Sequence, residues 1–303
     1  MEDIKDRAPY GRNSTIGPRV LRGVLGLYAR VPLRVLHALG ALLGWAAYLA
    51  SPSYRRYLRG NLAQAGYHDP RLRREAIESA GRMFAELPAI WLRAREVTLR
   101  RMRGVVGEQY VREARARGQG IVYLAPHYGC FEIVGHALAE FAPLTALYRP
   151  PKLRWIEPLM IEGRVKGTMR LARADYSGVR DLVAALKRRE TVGILPDQVP
   201  GVGDGEWVEF FGRPAYTMTL AAKLIGRPDT VGLVVSAERL RAGRGYVLHI
   251  TPLPESLAGE SPVRRINRAI ESMLGRDPGQ YLWGYNRYKR PRGAEPPPGG
   301  AKP

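Results

Sequence analysis

The chain is expected to fold as an α/β protein, with a largely parallel central sheet flanked by helices and a helical N-terminal extension. Two observations predict this. Short apolar runs rich in β-branched residues alternate along the chain with segments of helical periodicity, the order that builds a parallel sheet. The 303 residues, 45% of them hydrophobic, suffice for one substantial core without a second domain.

The elements follow in order. Residues 35–51 (VLHALGALLGWAAYLAS) are apolar for about one helix, interrupted only by His37 and small residues. That falls short of the ~20 residues usual for a bilayer span. Arg30 and Arg34 precede the stretch, and Arg55, Arg56 and Arg59 follow it. An in-plane or shallowly inserted helix with snorkelling arginines is expected, Trp45 and Tyr48 lying at the interface; a soluble core helix is the alternative. The segment starts too late for a cleaved signal peptide and lacks an early charged region. Residues 55–66 and 71–95 have helical periodicity, the latter with Ala80, Met83, Phe84, Leu87 and Ile90 on one apolar face. A helix at 107–117 leads into a strand at 121–125. Further strands are expected at 145–148, 192–196, 231–237 and 246–250, and helices at 131–140, 155–172, 179–189, 216–225 and 262–274. The stretch from Gly293 to Pro303 is rich in Pro and Gly, cannot build a core and should be disordered. Residues 1–104 are therefore assigned to a helical, membrane-associating extension, 105–291 to the α/β core and 292–303 to a tail.

The segment joining the 121–125 strand to the next helix carries the chemistry. Pro126 and Gly129 break the strand, and Phe131–Glu140 returns to a helical pattern. His127 thus sits at a strand's carboxyl end, where open α/β sheets place their ligands. Glu132 falls in the first turn of the following helix, where the macrodipole favours its ionised form. A carboxylate there can fix the imidazole tautomer that leaves one nitrogen bare towards a substrate, a base with its orienting partner. A His with a Glu five residues later also arises by chance, so the rest of the chain must decide.

Four further segments accompany the pair in order: Leu147–Pro150 (LYRP), Gly193–Gln198 (GILPDQ), Val208–Gly212 (VEFFG) with Thr217 and Thr219 after it, and Trp283–Lys289 (WGYNRYK). With H-x-x-x-x-E after a strand, this set resembles the glycerolipid acyltransferase superfamily, and within it the lipid A secondary (late) acyltransferases, the lauroyl and myristoyl transferases. The resemblance covers roughly residues 20 to 291. The chain departs from the family at its first motif, with Gly129-Cys130-Phe131-Glu132 where members often carry Gly-Asn-Trp-Glu. The Glu favours the lipid A branch over the glycerol-phosphate enzymes, which usually have Asp there. Mycobacterial acyltransferases of phosphatidylinositol mannosides share the Glu.

The resemblance implies a reaction in which His127, oriented by Glu132, removes the proton from an acceptor hydroxyl as that oxygen attacks a thioester carbonyl. In the family the hydroxyl belongs to a 3-hydroxyacyl chain of a lipid A precursor and the thioester to acyl carrier protein. The same mechanism on another acceptor (a lysophospholipid, an ornithine-type lipid or a phosphatidylinositol mannoside) is the alternative. Hydrolysis of the acyl group and a non-enzymatic basic binder are more distant rivals. Backbone N–H groups around Gly129 are candidates for the oxyanion. Arg149 follows a strand, as His127 does, and its guanidinium suits a phosphate of the acceptor or of the donor's phosphopantetheine arm, or else a structural carboxylate. Asp197 and Gln198 end another strand on the same edge and either contact the acceptor or fix the catalytic loops; as turn residues they would be structural. Arg287 and Lys289, among Trp283, Tyr285 and Tyr288, are expected as anion contacts at the rim, or as a merely solvated basic end.

Composition agrees with anionic partners. The net charge is +20 with pI near 10.4. Residues 1–104 carry 19 Lys+Arg against 8 Asp+Glu, so the excess leans to the N-terminus. Acidic acyl carrier protein, a phosphorylated glycolipid and an anionic membrane surface would all be attracted. Nucleic acid is not expected, since zinc-ligand spacing, RNP-like aromatics and a long basic helix are all missing. Cys130 is the only cysteine, so no intramolecular disulfide can form. Its apolar neighbours favour a packing role over a nucleophilic one. Gly201–Gly205 lacks the full G-x-G-x-x-G spacing, and neither a G-x-S-x-G elbow nor a Walker A sequence occurs. No metal or redox cofactor is implied.

Overall fold

A computed structural model describes residues 16–297. The first fifteen residues of the expected extension, and residues 298–303 of the expected tail, lie outside the described residues. Nine strands and eleven α-helices are described: α1 (Ile16–Ala29), α2 (Leu33–Ala50), α3 (Pro52–Gln64), α4 (Pro70–Leu92), α5 (Arg95–Leu99), β1 (Met102–Val106), α6 (Glu108–Ala116), β2 (Gly120–Leu124), α7 (Phe131–Leu138), β3 (Leu144–Tyr148), α8 (Glu157–Arg164), β4 (Met169–Arg173), α9 (Tyr176–Lys187), β5 (Thr191–Ile194), β6 (Gly205–Phe210), β7 (Arg213–Met218), α10 (Leu220–Ile225), β8 (Thr230–Leu240), β9 (Gly245–Pro252) and α11 (Pro262–Leu274). Four helices begin at a side-chain cap. Ser51, Asp69 and Ser261 each cap a helix just before a proline, and Asp175 caps α9, its side chain accepting from the Gly178 N–H.

Seven strands form the sheet in the order β1-β9-β8-β2-β5-β3-β4, every pairing parallel except β8 with β9. The mostly parallel sheet flanked by helices is the architecture expected. β2 lies near the centre and is buried along its whole length. Its side chains alternate between two cores. Val122 and Leu124 face Leu182, Ala185 and Ile270 of α9 and α11, while Ile121 and Tyr123 face Val111, Ile133 and Leu138 of α6 and α7.

Three expected elements differ. The helix expected over 155–172 ends at Arg164, and Met169–Arg173 forms the edge strand β4. The helix expected from residue 216 begins at Leu220, because residues 213–218 pair antiparallel with 205–210 as a hairpin. On α4, Ala80, Met83 and Ile90 are buried as expected, but Phe84 is exposed. In the stretch expected to be disordered, Glu295 O accepts a bond from the Trp207 indole at 2.9 Å.

Helix α2 is the one described helix long and apolar enough to cross a membrane. It has two faces. Leu33, Leu36, His37, Gly40 and Gly44 are buried, whereas Val35, Leu39, Leu42, Leu43 and Leu49 are exposed, Leu42 to 67%. Trp45 and Tyr48 are half-buried and packed against the core. The buried face crosses α4 with backbones almost touching: a Cβ on Gly40 would stand 2.6 Å from Arg82 Cα, and one on Gly81 would overlap Gly40 O. At the same crossing His37 Nε2 lies 2.6 Å from Glu86 Oε1.

Glu86 is fully buried and faces Arg239 of β8, with Arg239 Nε 2.8 Å from Oε1 and Nη2 2.7 Å from Oε2. Tyr246 adds its hydroxyl to Oε1 at 3.0 Å. Burial pushes the Glu86 carboxyl up, but the Arg239 guanidinium outweighs it and brings the value down to about 2 from 4.5. A carboxyl depressed in the folded state stabilises it above the unfolded value and loses that contribution as pH falls through the folded one. Denaturant titrations read by circular dichroism should therefore show stability draining away between pH 4.5 and 2. In a Glu86→Gln/Arg239→Gln double variant that acid-dependent component should be missing; an unchanged pH dependence would show that other carboxylates carry it.

Candidate active site

β2 and β5 are neighbours in parallel register, Leu124 opposite Ile194, so their carboxyl ends release two turns side by side. The first carries His127, the second Asp197 and Gln198. Asp197 meets His127 twice. Its Oδ2 accepts the His127 backbone N–H at 2.9 Å, and its Oδ1 lies 2.9 Å from the ring Nδ1. A carboxylate only accepts, so Nδ1 bears the proton and Nε2 is the bare nitrogen. The Gln198 amide nitrogen sits 3.1 Å from Nε2 and donates to it. Asp197 is 3% exposed. Burial pushes its carboxyl up, but His127 outweighs this and holds it below the ordinary range. Burial, together with the Asp197 charge, drives the Tyr281 hydroxyl well up, so Tyr281 stays protonated beside the carboxylate.

The expected pairing of His127 with Glu132 is replaced by this one. Glu132 lies in the first turn of α7 and turns towards α4 and α8, where the Trp91 indole donates to it at 3.0 Å. Arg164 binds the same carboxylate at both oxygens, with its Nε at 2.9 Å. Burial pushes the Glu132 carboxyl up; the Arg164 guanidinium outweighs it and leaves it lowered. Glu132 nevertheless lines the same cleft as His127.

That cleft has a volume of about 290 Å³. His127, Gln198, Arg149, Glu132 and Arg164 supply its polar groups, and Val134, Leu138, Leu144 and Met169 its apolar wall. A long apolar wall beside a few convergent polar groups suits a ligand with a hydrocarbon tail. Gly135 widens it, since a Cβ there would come within 2.8 Å of the Met169 methyl. Arg149 is exposed in this cleft, as expected from its place after β3.

The remaining candidates lie elsewhere. Gly129 does not offer its N–H to a substrate, because Gln280 O already accepts it at 3.0 Å, and the Cys130 N–H is likewise spent on Ala237 O. Gly129 has φ +54, and a Cβ there would overlap Ala237 O. Arg287 is not a rim contact. It is 2% exposed and donates to Tyr216 O at 3.0 Å and Thr217 Oγ1 at 2.6 Å. Lys289 is exposed, but it lies over the Tyr285 ring and lines a separate basic cleft with Arg56, Arg213 and Arg290. The Trp283–Lys289 motif acts behind the site: Tyr285 accepts the Val199 N–H at 2.9 Å, and Asn61 ties down the carbonyls of Trp283 and Tyr285.

An imidazole at the mouth of an apolar cleft, bonded to a buried carboxylate, is the setting in which sequence comparison adds a family. The family model described as bacterial lipid A biosynthesis acyltransferase matches residues 19–290. The chain belongs to this family. It is therefore an acyltransferase. The lipid A biosynthesis palmitoleoyltransferase of Escherichia coli (strain K12) is 27% identical over 283 residues, covering 89% of this chain and 90% of that protein. The lipid A biosynthesis lauroyltransferase of the same strain is 25% identical over 281 residues, 89% and 91% of the two chains. A lipid A biosynthesis acyltransferase of Haemophilus influenzae (strain ATCC 51907 / DSM 11121 / KW20 / Rd) is 26% identical over 270 residues, 85% and 82%.

Sequence reading missed Trp91 and Arg164, which reach Glu132 only through tertiary contact, and Tyr281, which lies just before a motif that was singled out. Cys130 fits the packing role expected of it in this acyltransferase. It is 2% exposed, and burial pushes its thiol well above the ordinary value. Cys130→Ala should keep most of the activity, and thiol-alkylating reagents should react slowly with the folded wild type. An acyl group trapped on Cys130 in mass spectrometry would reverse this assignment.

Proposed function

We propose that this acyltransferase moves a fatty acyl group from an acyl carrier protein thioester to a hydroxyl of a lipid A precursor, with His127 as general base. The observation that carries the mechanism is the bond from His127 Nδ1 to the buried Asp197 at the mouth of an apolar cleft. The acceptor hydroxyl takes the place of the Gln198 amide at Nε2 and gives its proton to that nitrogen as its oxygen attacks the thioester carbonyl. Asp197 holds the tautomer and stabilises the imidazolium that forms. The tetrahedral intermediate then expels the thiolate, which takes the proton from His127, leaving an ester and a free thiol. The apolar wall of Val134, Leu138, Leu144 and Met169 accommodates the acyl chain. Arg149 at the mouth binds a phosphate of either substrate. Glu132 holds the Arg164 guanidinium at the cleft wall.

The acceptor assignment rests on the relatives, which are named for lipid A biosynthesis. The enzyme would work at the cytoplasmic face of the bacterial inner membrane, the helices before β1 forming the associating extension, since residues 102–104 of the expected one belong to the sheet, and α2 lying in the interface. Five exposed aliphatic side chains on one face of α2 support this placement.

Two experiments test the reading. His127→Ala should lower turnover by at least the ~10²–10⁴-fold typical of general base catalysis, and Asp197→Asn should approach it. Glu132→Gln should cost less in turnover and more in stability, since it leaves the Arg164 charge without its partner. Turnover near wild type in Asp197→Asn with saturating substrates would remove Asp197 from the mechanism. Replacing Leu39, Leu42 and Leu49 together by Glu should abolish most binding to liposomes containing anionic lipid, whereas high salt should release wild type only in part. Unchanged binding would place the anchor elsewhere.

A further inference from the structure

We propose that Arg239 is a positioning residue for acyl transfer, holding the turn that carries His127 through the carbonyl of Gly129; this rests on His127 being the base. Arg239 lies near the end of β8 and is 5% exposed. Its guanidinium makes four sets of contacts. Two nitrogens face the Glu86 oxygens, Nη1 donates to Ser79 Oγ at 2.9 Å, and Nη2 also donates to Gly129 O at 2.8 Å. Ser79 and Glu86 both belong to α4, so a rigid helix fixes the fork and the fork fixes the turn.

The backbone of Arg239 grips the same turn from the other side. Its N–H donates to Gln280 Oε1 at 2.8 Å, and Gln280 Nε2 returns a bond to Arg239 O at 3.2 Å. The backbone carbonyl of Gln280 is the acceptor of the Gly129 N–H. Gly129 is therefore held at its carbonyl by the guanidinium and at its N–H by a segment that Arg239 itself positions. Gly129 lies two residues from His127, whose own carbonyl accepts the Leu282 N–H at 3.0 Å. A planar fork can serve the Glu86 carboxylate, Ser79 and Gly129 O together; an ammonium cannot. Nothing in this cluster lines the acyl cleft, so Arg239 acts on the reaction only through the turn.

The test compares Arg239→Lys and the Glu86→Gln/Arg239→Gln double variant with wild type, using full-length protein, an acyl carrier protein thioester and detergent-dispersed lipid A precursor. The double variant leaves no lone buried charge and so guards against simple unfolding. In whichever variant retains the wild-type circular dichroism spectrum, kcat should fall by roughly 10²-fold while both KM values stay near wild type, since a shift of about 1 Å in a catalytic group costs that much. In a His127→Ala background the same substitution should cost little further, because its target is already gone. Wild-type kcat in a folded variant, or an undiminished loss in the His127→Ala background, would overturn the proposal. Unfolding of both variants would overturn it too, by showing that the pair serves the core alone. Full activity of His127→Ala by itself would instead remove the base, a separate failure.

Discussion

The ion pair between Glu86 and Arg239 is the interaction on which the arrangement of this enzyme turns. Two opposite charges are buried together, and such a pair is tolerated only when every donor and acceptor finds a partner. Here the requirement recruits one group after another: His37 from α2, Ser79 from α4, Tyr246 from β9 and the Gly129 carbonyl from the turn after β2. The outer helix, the supporting helix, the far side of the sheet and the turn bearing His127 thus meet at one carboxylate and one guanidinium. The close crossing of α2 on α4 serves the same point, because Gly40, Gly44 and Gly81 let His37 approach Glu86.

Most of the architecture was legible because its signals are local. The buried strand β2, the helices over 55–66, 71–95 and 262–274, and the alternation of strand and helix follow from residue type and period alone. What was missed depends on neighbours. β4 has the sequence MRLAR, whose arginines, three residues apart, read as helix surface until the strand is seen at the edge of the sheet, with Arg170 and Arg173 exposed. β6 and β7 make a two-stranded hairpin outside the main sheet, so their burial is partial and their pattern weak. Phe84 fits the apolar stripe of α4 by period but is 56% exposed, although Met83 and Ala85 beside it are buried.

At the site, sequence reading picked out His127 and put Asp197, Gln198 and Arg149 on the same sheet edge, but the carboxylate that meets the imidazole is Asp197 and not Glu132. The spacing of five residues made Glu132 the nearer candidate along the chain. Asp197 is seventy residues away and becomes adjacent only because β2 and β5 are neighbours, a fact of strand order that residue spacing does not carry. Once α7 has begun, Glu132 is committed to the helix face that looks at α4 and α8, and the guanidinium of Arg164 meets it there. Arg287 was misplaced for a related reason. A basic residue between aromatics reads as a rim, yet here Trp283 and Tyr288 are core and the cation donates to the Tyr216 carbonyl and the Thr217 hydroxyl.

The basic excess deserves the same reading by use rather than by count. Several arginines spend their donors on backbone carbonyls: Arg93 on Ala29 and Val31, Arg34 on Ala242, Arg103 on Arg244, Arg115 on Arg189 and Arg265 on Pro254. Arg55 likewise reaches the carbonyls of Tyr48 and Leu49 at the end of α2. Such bonds satisfy carbonyls that helix ends and turns leave open, and they hold the guanidinium group in place. Part of the +20 net charge is therefore structural, and charge alone overstates the pull on an anionic surface. The outward leucines of α2 carry no such double duty, since nothing among the described residues covers them. Attachment to a lipid surface should accordingly depend on burying those side chains, with the arginines around the helix setting its orientation.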